Sequence, residues 1–323
     1  MAELSISSFE GINTFTNPFN TPDGNIIHCV NLDAFPAGAK TKRPGYVSYL
    51  GTPDNSQVNS LFSWTKNDGT TQFIYRASGS VLYSSQQGTG AWTPCINGTI
   101  SNGGYVGHAV SQNTLFIGDG VGSTRHSTDG TTFTDTTLAP IAPFFVDYQG
   151  RIYAAGTASS LFYSNSGTPT DWNPSDDSSS IEIPGPGKLS QIMKTSDRVV
   201  TTKNSHLLHR WDGGSLVDMA TQMGPSSPYS VADVEDFKFW VNNLGMYACN
   251  GDKPQLLSNP VQRQFYNVNN TGMSGTQSLV APADTFQYDY YVSMGTVTDD
   301  FSGVQMNNAI LRYDYIHNHF DNY

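Results

Sequence analysis

Two histidine pairs have spacings that could bind a metal ion. His206 and His209 are three positions apart, and His317 and His319 are two apart. A three-residue spacing brings imidazoles together on a helix, but on a strand it sends them to opposite faces. Because the sequence around His206 and His209 predicts a strand, these two are expected not to share a metal ion. His317 and His319 could share a strand face, but a solvated pair near the chain end is the preferred interpretation.

Carboxylates and hydroxyls are concentrated in residues 173–182, NPSDDSSSIE, and could bind calcium. The segment lacks the ligand spacing of a known calcium loop. Glycoside cleavage needs two facing carboxyl groups, and the sequence has glutamate only at Glu3, Glu10, Glu182 and Glu235. Neither a phosphate-binding glycine loop nor a GxSxG nucleophile elbow occurs. The sequence therefore predicts no catalytic, cofactor-binding or metal site, no cofactor and no enzymatic activity.

The composition favours an all-β protein. Of 323 residues, 37% are hydrophobic and 12% aromatic, which is enough for a core. Only 13% are charged, about half the usual share. Ser, Thr, Asn and Gly supply the remaining polarity and favour strands and turns. The net charge of −11, without a basic cluster, argues against binding nucleic acid phosphates.

Export, membrane insertion and disulfide bonding are not expected from this sequence. The N-terminus lacks a basic region followed by an apolar run, and no stretch has the apolar length of a membrane helix. The three cysteines, Cys29, Cys95 and Cys249, are far apart and lack metal-ligand spacing. They are interpreted as buried reduced thiols.

A strand, an aromatic or histidine anchor and a polar turn recur along the chain. The anchors are Tyr83, His126, Tyr163, His209, Tyr247 and Tyr313. They are separated by 43, 37, 46, 38 and 66 residues. Residues 259–285 are interpreted as an inserted loop or excursion that lengthens the last interval. Such a period is typical of propellers and other repeat proteins.

Each repeat contains four short strands, which is the unit of a propeller blade. The third reads PFFVDYQ, RIYAAGT, SLFYSNS and then DWNP. The fold prediction is an all-β propeller of six four-stranded blades over residues 45–323, preceded by an extended N-terminal arm, residues 1–44. Aromatic side chains are expected between the sheets, namely Trp64, Phe73, Phe116, Phe145, Tyr153 and Trp240. Residues 45–51 are predicted to supply the outer strand of the last blade; alternatively residues 318–323 form it, or the chain is cut short.

The turn STDGTTF at residues 127–133 resembles the Asp-box of sialidases and related propellers. The resemblance is to a degenerate form, because Gln87 and Asn165 replace the aspartate in other blades. It implies a compact outer hairpin with a structural role. A sialidase would also need three converging arginines, and no arginine lies in a motif for that site. The available arginines are Arg43, Arg76, Arg125, Arg151, Arg198, Arg210, Arg263 and Arg312.

The segment NIIHCVNLDAFPAGAKTKRPGY, residues 25–46, resembles the start of β-propeller structural proteins of tailed bacteriophages. These are tail-nozzle, neck and packaged-DNA stabilisation proteins, in which an Asn-rich arm leads into a KRPGY-like turn, here residues 42–46. The resemblance implies a non-enzymatic virion protein of the tail or neck, assembled in the host cytoplasm. It implies a homo-oligomeric ring that contacts portal, adaptor or tail partners and lines or gates the DNA channel. An acidic wall would let DNA slide without sticking.

A decoration, tail-fibre or baseplate protein of a virion is an alternative within the same resemblance, and two other functions remain open from the sequence. The first is a carbohydrate-binding or glycan-cleaving propeller, receptor-binding or sialidase-like, in which the funnel of the ring holds a glycan. The second is a bacterial propeller that serves as an interaction scaffold.

Overall fold

Runs of β-branched and aromatic residues form the strands, and tight turns join them. Gln112 and Asn113, for example, have φ values of 48° and 60° in a two-residue turn between paired strands. Positive φ at both positions matches the twist of a hairpin. The computed structural model describes residues 11–12, 25–26, 32–33, 41–42, 56–87, 91–101, 104–204, 206–261, 265, 283–298 and 305–322.

The described strands form six four-stranded antiparallel sheets, which confirms the predicted six-bladed propeller. Two small pairs come first: β1 (Gly11–Ile12) with β2 (Asn25–Ile26), and β3 (Leu32–Asp33) with β4 (Thr41–Lys42). Blade 1 contains β5 (Val58–Thr65), β6 (Gln72–Ser78), β7 (Val81–Gln86) and β8 (Thr93–Thr99). Blade 2 contains β9 (Gly107–Ser111), β10 (Thr114–Gly118), β11 (Arg125–Ser127) and β12 (Thr134–Asp135). Blade 3 contains β13 (Phe144–Tyr148), β14 (Arg151–Ala155), β15 (Ser160–Tyr163) and β16 (Ser179–Glu182).

The remaining blades follow the same meander. Blade 4 contains β17 (Leu189–Lys194), β18 (Val199–Lys203), β19 (Leu208–Trp211) and β20 (Leu216–Ala220). Blade 5 contains β21 (Ala232–Val234), β22 (Phe237–Asn242), β23 (Gly245–Cys249) and β24 (Gln255–Leu256). Blade 6 contains β25 (Ala283–Phe286), β26 (Asp289–Thr298), β27 (Gln305–Asp314) and β28 (His319–Asn322). Short 3-10 helices lie at Pro228–Ser230 and Asn259–Val261.

All six repeat anchors lie on the third strand of their blades, so the predicted register of the repeat is confirmed. Apolar clusters join blades 1 and 2, 2 and 3, 3 and 4, 4 and 5, and 5 and 6. The six aromatics predicted to pack between sheets are each at most 6% exposed. Because each cluster draws side chains from two sheets, a blade is stabilised by its neighbours.

Two strand assignments differ from the sequence prediction. In blade 3 the fourth strand is β16, and residues 171–174, DWNP, lie in the loop before it. Trp172 is nevertheless 4% exposed, because it packs in the cluster between blades 2 and 3. In blade 6 the two strands predicted around GVQMNNA and ILRYDYI are one continuous strand, β27.

The outer strand of blade 6 comes from the C-terminus. β28 pairs with β27 in the fourth position of this sheet. The prediction that residues 45–51 occupy that position is therefore wrong, and the alternative that residues 318–323 form the strand is confirmed for His319–Asn322. Residues 45–51 themselves lie outside the described part of the chain. The strand β25 begins at Ala283, within the last residues of the predicted excursion 259–285.

The described pieces of the N-terminal arm lie against the chain's own last blade. β1 and β3 both contact β28. Ile12 is 3% exposed and belongs to the cluster between blades 5 and 6. Burial of an isoleucine stabilises this contact by about 1.5–3 kcal/mol.

Two predicted thiols are confirmed as buried and free. Cys95 is 8% exposed and Cys249 is 3% exposed. Burial raises the pKa of Cys95 to about 11, so its thiol stays protonated at neutral pH. Cys29 lies outside the described residues. The described part of the chain contains no helix of the length and hydropathy that a bilayer crossing requires.

Candidate functional site

Two tyrosines meet at the axis of the ring. Tyr105 precedes the inner strand of blade 2, and Tyr229 precedes the inner strand of blade 5, so the two come from opposite sides of the ring. Their rings stack with centroids 4.2 Å apart, and Phe144 of blade 3 lies 5.9 Å from Tyr229. These three aromatic rings therefore occupy the axis at one face of the propeller.

Beside this stack lies a cavity of about 380 Å³. Its walls come from the loops before the inner strands of blades 3, 4 and 5 and after the second strands of blades 2, 3 and 4. The lining residues are Asp119, Gly120, Pro143, Phe144, Gly156, Thr157, Lys188, Leu189, Ser190, Asn204, His206, Pro225, Ser226, Pro228 and Tyr229. Loops on a rigid ring are a common location for binding groups.

The carboxylate of Asp119 is a fixed negative charge in the cavity. Its Oδ2 accepts from the N–H of Ser101 at 2.6 Å, and its Oδ1 accepts from those of Gly122 at 2.8 Å and Val121 at 2.9 Å. Burial opposes ionisation, but these hydrogen bonds outweigh it and hold the pKa of Asp119 below its usual value. Asp119 is therefore an acceptor at neutral pH and is unsuited to donate a proton.

Three further polar side chains of the cavity, those of Lys188, Asn204 and His206, come from loops that precede or follow strands of blade 4. The backbone N–H of Asn204 donates to the carbonyl of Lys188 at 3.1 Å, which brings their exposed side chains to one wall. His206 follows with a φ of 60°. Carboxylate, ammonium, amide and imidazole groups around an aromatic surface can hydrogen-bond a small polyhydroxyl ligand.

The first histidine pair does not lie on one strand. His209 is on β19 and is 4% exposed, with its Nε2 3.3 Å from Asp218 Oδ1. Burial lowers the pKa of His209. His206 lies in the preceding loop and lines the cavity, so its assignment to a strand is wrong. The expectation that the two histidines point to opposite faces of one strand therefore does not apply, because only His209 lies on a strand.

The described arginines form ion pairs or aromatic contacts at separate positions in the propeller. Arg125 contacts Asp135, Arg151 contacts Asp177, and Arg312 contacts Asp289, at 2.9, 2.5 and 2.8 Å. Arg198 and Arg210 share Asp252. Arg76 stacks on Tyr83 and Trp92. Within the described residues, no three arginines converge on one point as a sialidase site requires.

The carboxylates of the acidic segment 173–182 accept hydrogen bonds from side chains of the protein. Asp177 binds Arg151, and Asp176 Oδ2 accepts from Asn173 Nδ2 at 2.9 Å. Glu182 accepts from the hydroxyls of Ser159 and Ser160. The calcium ligands considered from the sequence thus serve as local hydrogen-bond acceptors.

The Asp-box-like turn of blade 2 packs against blade 1 and hydrogen-bonds to it. Asp129 Oδ1 accepts from the N–H of Thr131 and Thr132, both at 2.7 Å. Phe133 is fully buried between the two blades, and the Gly130 carbonyl accepts from the hydroxyl of Tyr75 at 2.9 Å. The structural role implied by the resemblance is confirmed.

The same aspartate turn recurs in blades 1 and 4 and predicts an acid-sensitive fold. Asp68, Asp129 and Asp212 each accept hydrogen bonds from the backbone N–H groups of the residues two and three positions later in the sequence. These hydrogen bonds lower the pKa of each carboxyl group to about 2, and for Asp129 they outweigh the opposing effect of burial. A folded pKa below the unfolded value of about 3.9 stabilises the fold above that pH, and this stabilisation is lost as the pH falls towards about 2.

We expect the urea midpoint of unfolding to decline between about pH 4 and pH 2. A variant with all three aspartates changed to asparagine should begin lower and decline less over this range. An equal decline in both proteins would show that these turns do not carry the acid dependence.

Comparison with known proteins supports the propeller. Residues 51–206 match the DUF6242 β-propeller domain. The solved structure of U3-55K superposes with a TM-score of 0.50 at 9% identity, covering 84% of this chain and 82% of that one. YCF48 from Cyanidioschyzon merolae superposes with a TM-score of 0.50 at 11% identity, covering 84% and 86%. No curated protein matches the sequence.

Neither structural neighbour is a phage protein, and identities this low support a shared fold alone. The match to the DUF6242 domain includes blades 1 to 3 and the first two strands of blade 4. The chain is therefore a six-bladed β-propeller protein whose residues 51–206 are similar to the DUF6242 β-propeller domain.

Proposed function

We propose that this chain is a non-enzymatic virion structural protein of a tailed phage, a propeller subunit of the neck or tail that contacts portal, adaptor or tail components. The observation that carries the proposal is the phage-like segment at residues 25–46, which leads into blade 1. Its β3 pairs with β4 and contacts β28, so the strand β3 borders the outermost strand of blade 6. A neighbouring subunit would contact the molecule at these arm strands and the adjoining edge of blade 6.

The use of acidic side chains favours a non-enzymatic role. Asp68, Asp119, Asp129 and Asp212 each accept N–H bonds from the residues two and three positions ahead. Their low pKa values suit stable turn formation and do not suit proton transfer near neutral pH.

A DNA channel, in this proposal, lies between copies of the chain. The aromatic rings of Tyr105, Tyr229 and Phe144 occupy the axis of the individual propeller. A homo-oligomeric ring would place several acidic subunits, each with a net charge of −11, around a wider opening. Such a wall repels phosphate and lets DNA pass without adhesion.

Co-expression with the products of the neighbouring genes tests the proposal. We expect the full chain to co-purify in a complex of fixed stoichiometry with a portal, adaptor or tail protein, and to show a ring by negative-stain electron microscopy. A chain that remains monomeric by light scattering in the presence of all these products would contradict it.

The axial cavity favours a second candidate function, carbohydrate binding. Its volume of about 380 Å³ fits a small sugar. Tyr229 offers an aromatic surface, while Asp119, Lys188 and Asn204 offer groups for hydroxyls. The full chain on a glycan array tests this function, and a monomer that binds a defined sugar would favour it over the virion role.

For any sugar found on the array, we expect Asn204→Ala and Lys188→Ala each to weaken binding about tenfold, the effect of losing roughly 1.4 kcal/mol of hydrogen bonding. Lys194→Ala is the matched control, because Lys194 lies at the end of β17 and pairs with Asp147 at 3.8 Å outside the cavity. Titration calorimetry would measure the three affinities. Equal binding by all variants would place the sugar elsewhere.

A further inference from the structure

The second histidine pair faces a carboxylate at the end of blade 6. Asp314 ends β27 and His319 begins β28, and the two are directly paired across the strands. Cross-strand partners project from the same face of a sheet. His317, in the turn between them, donates its backbone N–H to Asp314 Oδ1 at 2.9 Å. The hairpin thus brings three metal-ligating residue types together.

The side chains are close enough to share one ion. His317 Nδ1 lies 2.9 Å and His319 Nδ1 lies 4.0 Å from Asp314 Oδ2. One ligand atom from each residue lies within 4.8 Å of the others. With metal–ligand bonds of about 2 Å, tetrahedral ligands are about 3.3 Å apart. Small side-chain rotations would therefore give a coordination geometry.

The burial pattern resembles that of a site with one accessible side. The side chains of Asp314 and His319 are 11% and 7% exposed, whereas that of His317 is 42% exposed. The expected solvated pair is therefore wrong for His319 and right for His317. An ion could enter past His317 and keep a water ligand on the open side.

The local charge is compatible with a cation. Arg312 Nη2 lies 3.8 Å from Asp314 Oδ2, but it binds Asp289 Oδ2 more closely, at 2.8 Å. With neutral imidazoles, the two aspartates and the arginine together carry one net negative charge. Asp289 thus offsets the guanidinium charge beside the three ligands.

We propose that Asp314, His317 and His319 bind a divalent transition-metal ion of the zinc type. Two imidazoles and one carboxylate suit zinc, cobalt or iron better than calcium or magnesium, which prefer oxygen ligands. Bound metal would join the end of β27 to β28 and so fasten the terminal strand of the last blade. Neither the virion role nor glycan binding requires this site.

Zinc titration of the full chain, prepared without a histidine tag and freed of metal by chelation, tests the proposal. We expect calorimetry to show a site that binds Zn²⁺, with little heat from Ca²⁺. Co²⁺ should produce the visible absorption of a nitrogen-ligated ion. His317→Ala, at the exposed position, should weaken Zn²⁺ binding at least about tenfold while the fold is retained. His126→Ala is the matched control and should bind like the parent.

His319→Ala and Asp314→Asn should weaken binding similarly, with far-UV circular dichroism verifying the fold. If these buried substitutions prevent folding, His317→Ala decides the question. A folded parent chain that binds neither Zn²⁺ nor Co²⁺ would overturn the proposal. Undiminished binding by folded His317→Ala would overturn it as well, because the ion would then lie elsewhere.

Discussion

Gly107→Ala is expected to destabilise the propeller by more than about 3 kcal/mol. A Cβ at this position would lie 1.8 Å from the carbonyl oxygen of Pro143. Gly118 is the partner of Gly107 across β9 and β10, and a Cβ at Gly118 would lie 2.2 Å from the carbonyl oxygen of Ala142. The contact between blades 2 and 3 is thus a backbone approach, and backbone atoms cannot rotate away as a side chain can.

Urea unfolding followed by circular dichroism measures this effect. Gly214→Ala is the control, since a Cβ there meets nothing closer than 4.0 Å and its φ is not positive. It should unfold at nearly the parental midpoint. A parental midpoint for Gly107→Ala would show that blade 3 can move away from blade 2 without loss of stability.

Trp240→Ala is expected to cost about 3–5 kcal/mol of stability. The indole is fully buried on β22, and its Nε1 donates to the carbonyl of Met223 at 2.7 Å. It is the largest side chain of the cluster between blades 4 and 5, and it stacks with Tyr247 at 6.2 Å. Its removal would leave a cavity at a blade interface and an unpaired carbonyl.

Two further variants separate the causes. Trp240→Phe keeps an aromatic ring and loses the hydrogen bond, so its loss should be smaller than that of alanine. Trp92→Ala removes a half-buried indole that contacts Arg76, and should cost about 1 kcal/mol or less. Urea midpoints from circular dichroism avoid the change in tryptophan fluorescence. If Trp240→Ala and Trp92→Ala lost the same amount of stability, burial of Trp240 between blades 4 and 5 would not be the cause of its effect.

Local patterns were sufficient to predict the repeating unit. Tyr83 and Tyr163 mark third strands because strand alternation and turn residues depend on near neighbours in sequence. The aspartate turn at residues 127–133 was also readable, since its N–H donors are two and three residues from Asp129. The local signal at Trp172 in DWNP is ambiguous, because an aromatic residue that is buried from a loop has the same sequence pattern as one on a strand.

The contacts around the axis and the closure of blade 6 depended on the tertiary structure. Tyr105 and Tyr229 are 124 residues apart in sequence, and they meet only because a ring of six blades places blades 2 and 5 opposite each other. His319 could equally have been solvated, and its pairing with Asp314 follows from β28 taking the fourth position of its sheet. Composition and periodicity thus determined the blade, whereas the number and order of blades around the axis determined which side chains meet.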